Sequence, residues 1–186
     1  MKKLFLFAAL AVFGMSSMMA QLSFGAKAGV NLASLSGDDA DDFDGLTSFH
    51  VGAVAVFPLG EMISLQPELV YSSQGASYDI EGIDVKTKVD YLNIPIMVDV
   101  NLAEGFSLQG GPQFGINISS KVDIDGETED IDDTETLDIG VGIGAQYKLP
   151  MGVFFQARYT VGMTEIFPES DAKNSVASIS VGYMFN

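Results

Sequence analysis

The sequence predicts an all-β chain folded as an eight-stranded antiparallel up-and-down transmembrane β-barrel, on three observations. Apolar residues recur at every second position in eight separate segments. The face between them is small and nearly uncharged, and the connections alternate between short and long.

The first segment shows the pattern most plainly. From Leu22 to Leu32 the apolar parity is Leu22, Phe24, Ala26, Ala28, Val30 and Leu32, interleaved with Ser23, Gly25, Lys27, Gly29 and Asn31. The same period places strands at Ser48 to Phe57, Ile63 to Ser73, Tyr91 to Leu102 and Phe106 to Ile118. It continues through Leu137 to Leu149, Val153 to Val161 and Ser175 to Phe185. In all eight the apolar parity carries no charge.

Alternation alone also suits a soluble sandwich or a soluble ligand-binding barrel. The polar parity argues for the membrane: Gly140, Gly142 and Gly144, or Ser107, Gln109, Gly111 and Gln113, suit a cramped lumen better than a wet exterior. Pro58 to Met62, Ala103 to Gly105 and Pro150 to Gly152 read as tight turns. Ala33 to Thr47, Gln74 to Asp90, Ser119 to Thr136 and Gly162 to Asn174 read as long, mostly acidic loops. Phe24, Phe57, Phe106, Tyr147, Phe155, Tyr183 and Phe185 gather beside the short turns, as an interfacial girdle would.

Composition narrows the function. With 9 Lys+Arg against 25 Asp+Glu, net charge −16, the chain offers no basic stripe for nucleic acid. The absence of Cys excludes disulfides, thiolate nucleophiles and Cys-based zinc sites, and a single His excludes multi-His metal centres. Met1-Lys2-Lys3, the apolar run Leu4 to Phe13 and the stretch ending at Ala20 form a secretory signal over residues 1–20, leaving residues 21–186 as one barrel domain. No later stretch is apolar and long enough for a membrane helix.

The stretches Leu65-Gln66-Pro67-Glu68-Leu69-Val70-Tyr71-Ser72, Tyr91-Leu92-Asn93-Ile94-Pro95 and Gly111-Pro112-Gln113-Phe114-Gly115 carry a family resemblance. So do Ala157-Arg158-Tyr159-Thr160-Val161-Gly162-Met163-Thr164 and Val181-Gly182-Tyr183-Met184-Phe185. Together, in this order, they resemble the porin-family outer-membrane β-barrel domain across nearly the whole mature chain. The resemblance implies a Gram-negative outer-membrane location, with outer-membrane lipid and the barrel-assembly machinery as partners. Small members of that family need not be open channels.

Few residues carry candidate chemistry, and no cofactor is called for. His50 lies on the inward parity near a loop containing Asp38, Asp39, Asp41 and Asp42, with Asp44 at its end, so a His–Asp–Ser lipid-modifying enzyme is one reading and a water-contacting rim histidine the other. The same four carboxylates with Asp123, Asp125, Glu127 and Asp130 are candidate weak cation-binding loops, against a reading as solvated, self-repelling segments. Counted from the short-turn end, Lys27, Glu68, Asp99 and Arg158 fall at similar depth on the inward parity. Confined ions need partners, so they form an expected lumenal charge cluster, either a plug or a selectivity ring. The roles left open are an envelope-structural or surface-interaction barrel, a small-solute channel, and the enzyme built on His50.

Overall fold

The computed structural model describes residues 22–36, 44–80, 83–124, 127–130, 136–165 and 173–185. Nine strands follow in chain order: β1 (Ser23–Ser36), β2 (Asp44–Pro58), β3 (Ile63–Ile80), β4 (Ile83–Ala103), β5 (Phe106–Ile124), β6 (Glu127–Asp130), β7 (Leu137–Lys148), β8 (Val153–Glu165) and β9 (Lys173–Phe185). Each barrel strand pairs antiparallel with its chain neighbour, and β1 pairs β9 from Phe24↔Phe185 to Ser36↔Lys173, closing the ring. Eight strands form the wall; β6 is an extra short strand that, among the described residues, is laid only against the outer end of β5. The proposed signal segment, residues 1–20, lies outside the described residues.

Closure decides which face meets what. The apolar parity points outward: Phe24, Val30, Leu69, Leu108, Ile143, Val161 and Ile179 are exposed. The polar parity points inward, where Lys27, Asn31, Gln66, Glu68, Gln109 and Arg158 are buried. An exterior this apolar cannot face water across eight strands, and a closed ladder leaves no strand edge unpaired, so the barrel wall suits a bilayer.

Short turns and both described ends of the chain share one rim. Glu104 and Gly105 join β4 to β5, with Gly105 at φ 76°, and Gly152 takes φ 92° between β7 and β8. These left-handed conformations favour residues without a Cβ. Register brings the aromatics at this rim together, with Phe106 beside Tyr147, Tyr147 beside Phe155 and Phe24 beside Phe185. A second set on the outer wall, Phe49, Tyr71 and Phe114, lies towards the other rim, Phe49 and Tyr71 with ring centroids 5.8 Å apart. Phe106 and Phe114 stand eight residues apart on one strand. That is roughly 27 Å of strand, or about 20 Å of height at the tilt usual for such barrels, near the span of an apolar band.

The sequence reading of long loops needs correction at the other rim. Gln74 to Asp90 is mostly a hairpin, paired from Gln74↔Val89 to Ile80↔Ile83, and Lys121 to Ile124 continues β5. Once the register is set within the membrane, each further ladder pair forms locally. No lipid imposes an apolar parity there, so the sequence signal fades while the hydrogen bonding continues. Because β6 pairs, among the described residues, only with the outer end of β5, excising residues 125–135 and rejoining the chain should leave the wall intact. The excised protein is expected to show the different gel mobilities of unboiled and boiled samples that a closed barrel gives. Identical mobilities would mean that the segment is needed for closure.

Candidate functional site: the lumen

Side chains fill the lumen in layers. Nearest the short-turn rim an apolar group, Val54, Phe154 and Met184, packs inside the barrel against β2, β8 and β9, with Val56 beside it. The Phe154 ring lies where a Cβ on residue 182 would stand, 2.2 Å from Cζ, so glycine at that position makes the ring's place.

Beside and above this group, Glu68 binds two cations at once. Its carboxylate receives Lys27 Nζ at 2.6 Å, Arg158 Nη1 at 2.9 Å and Nη2 at 2.7 Å, and Gln66 Nε2 at 2.9 Å. The glutamines extend the network. Lys27 Nζ donates to Gln156 Oε1 at 2.8 Å, Arg158 Nη2 to Gln109 Oε1 at 3.0 Å, and Gln156 Nε2 to the same oxygen at 2.9 Å. Gln109 Nε2 then reaches Asp99 Oδ2 at 2.8 Å. Bidentate guanidinium–carboxylate pairing fixes distance and plane together, which suits a buried position where every lone pair must be met.

Three of the four charges read from the sequence therefore touch; Asp99 does not. Its ladder partner on β3 is Ser64, four residues nearer the short-turn rim than Glu68, roughly 13 Å along the strand. Tilted, staggered strands place equal residue counts at unequal depths, so counting from the turns misplaces Asp99. It accepts instead from Ser107 Oγ at 2.9 Å and from Gln109. Sequence reasoning missed the glutamines that link it to the ion group. Their inward parity was the available signal.

His50 sits above this layer, 4% exposed. Its Nδ1 is 2.8 Å from Asn31 Oδ1 and its Nε2 is 2.8 Å from Ser180 Oγ. Asn31 Nδ2 donates to Ser72 Oγ and to the carbonyl of Ser73, so Oδ1 is the atom that faces the ring. Nδ1 then carries the proton and Nε2 accepts from Ser180. The third member is Asn31 rather than a loop aspartate, which corrects the His–Asp–Ser reading.

The order Ser–His–Asn imitates a nucleophile triad, but the hydroxyl is enclosed. Ser180 is 2% exposed, and the β1–β9 ladder runs unbroken past it, so the flanking backbone N–H groups are committed to strand pairing. The ring rests on Gly29, where a Cβ would stand 2.7 Å from His50 Cε1, and it ties β1, β2 and β9 together.

The candidate cation loops fall largely elsewhere. Asp38, Asp39, Asp41, Asp42 and Asp125 lie outside the described residues. Asp123 pairs in register with Lys86 and its carboxylate is 3.9 Å from Lys88 Nζ, while Glu127 and Asp130 belong to β6, paired in register with Ile124 and Lys121. Among the described residues no group of three or more His, Cys, Asp or Glu is placed to hold a metal ion.

An apolar-walled, polar-filled, closed antiparallel barrel of eight strands defines the class of membrane-spanning β-barrels. The chain belongs to the outer membrane protein beta-barrel domain family, whose model matches residues 16–168, and is an outer-membrane barrel. Its fold is similar to that of Neisserial surface protein A, at 17% identity and TM-score 0.62, covering 87% of this chain and 97% of that one. It is also similar to Ail, the attachment invasion locus protein of Yersinia pestis, at 14% identity and TM-score 0.56, covering 88% and 98%. A second structure of Ail, in complex with the heparin analogue sucrose octasulfate, matches at 16% identity and TM-score 0.57, covering 88% and 99%. No curated protein matches.

Proposed function

We propose that this chain is a plugged barrel of the porin-family type, exported by the signal in residues 1–20, with an envelope-structural or surface-interaction role, no enzymatic activity and at most narrow passive permeability. The observation that carries the reading is the filled bore. Side chains from β1, β3, β4, β5, β7 and β8 join in one network across it, with Val54 and Met184 of β2 and β9 packed beside it. A permeant ion would have to displace a carboxylate held by two cations. Outer-membrane lipid and, during insertion, the barrel-assembly machinery are its partners on this reading. Divalent cations would bind weakly at the acidic outer loops. The fold shared with a surface protein and an attachment protein supports a role at the cell surface.

Recording from the refolded mature protein in planar bilayers tests it. The expected trace has no steady unitary conductance. Uniform, long-lived openings would instead make the protein a small-solute channel, with Lys27, Glu68 and Arg158 as its lining.

A further inference from the structure

Below the ion network the lumen opens into a vestibule of about 270 Å³ at the short-turn rim. Three charged residues line it, Glu61, Asp99 and Lys148. Glu61 and Lys148 are exposed at its mouth and oppose one another in charge, whereas Asp99 is only 5% exposed. Both hydrogen bonds to the Asp99 carboxylate, from Ser107 and Gln109, land on Oδ2. Oδ1 has no partner among the described residues.

Two more acceptors stand beside it. Ser64 is the direct ladder partner of Asp99 on β3, and Gln66 follows two residues on with the same inward parity. Gln66 spends Nε2 on Glu68, which leaves Oε1 without a partner among the described residues, and Ser64 Oγ has none. Each of these three side chains is more than nine-tenths buried, and all three line the vestibule.

We propose that this vestibule binds a primary alkylammonium group entering from the short-turn rim. An R–NH3⁺ head carries three N–H donors, matched by Asp99 Oδ1, Gln66 Oε1 and Ser64 Oγ. Asp99 supplies the single compensating charge that a buried ammonium requires. Val56, Pro58 and Met184 line the same vestibule and suit the methylene stem. A bare alkali ion is the poorer fit, since it gains nothing from the apolar side of a space this wide. A quaternary ammonium has no donors to offer.

Titration of the folded, isotope-labelled protein in micelles with butylammonium chloride is the test, read on the backbone amides of Ser64, Gln66 and Asp99. Saturable shifts are expected, with an apparent affinity at least tenfold above that for potassium chloride or tetramethylammonium chloride. Asp99→Asn keeps an acceptor for Ser107 and Gln109 and should weaken binding at least tenfold. Ser64→Ala, which strands no charge, should weaken it severalfold, and Glu129→Gln at the opposite rim should not change it. Equal response to the three salts overturns the proposal, whatever the variants do. So does wild-type affinity in Asp99→Asn or, should that variant not fold, in Ser64→Ala.

Discussion

Glu68→Leu is expected to destabilise the refolded protein more than any other single change in the lumen. The carboxylate holds Lys27 at 2.6 Å and Arg158 by two hydrogen bonds, so its removal leaves two buried cations facing each other. Breaking one buried pair costs about 3–5 kcal/mol, and here a repulsion is added to the loss. Arg158→Ala should cost less, because Glu68 keeps Lys27 and Gln66. The double change Arg158→Met with Glu68→Leu still strands Lys27, so it should not recover stability. The triple change that adds Lys27→Met should recover most of it. Urea unfolding in lipid vesicles measures all four. If Glu68→Leu matches wild type, the ion group contributes nothing to holding the barrel closed. If Glu68→Leu unfolds normally but alters ion selectivity in a conducting protein, the charges line a pore and the plug reading fails.

On the outer wall, Ile179→Arg is expected to cost about 2–4 kcal/mol, the range for a cation near the bilayer midplane on a barrel's lipid face. Ile179 is 64% exposed and stands in register with Val30 on one side and Ala157 on the other, all on the apolar parity. Val141→Arg, at a position 45% exposed on β7, should behave similarly. Thr136→Arg, at the loop rim, should cost under about 1 kcal/mol, because the penalty falls towards the interfaces. The same urea titration reports it. A neutral result at both Ile179 and Val141 would mean that lipid does not cover this wall.

Much of this architecture was legible in the sequence because a lipid-facing strand carries a strict local signal. Leu22 to Leu32 or Leu92 to Leu102 cannot place a charge outward without a cost of several kcal/mol, so each strand announces itself at period two. The signal ended where lipid ends, which is why the paired hairpin from Gln74 to Asp90 read as a loop. His50 on the inward parity was legible too. Its partners were not, since Asn31 and Ser180 lie on strands far apart in the chain and many serines were equally eligible.

The sequence by itself thus determined the number of membrane strands, the two alternating parities of each, and the placing of Lys27, Glu68, Asp99 and Arg158 on the polar one. Those are local properties, set by period and by what a bilayer tolerates. Only the tertiary structure decided which charges meet. Closure of β1 on β9 and the ladder stagger carry Lys27 and Arg158 to one carboxylate, and the β3–β4 register carries Asp99 down beside Ser64. Stagger is a property of the closed ring, so residue counting along single strands cannot supply it.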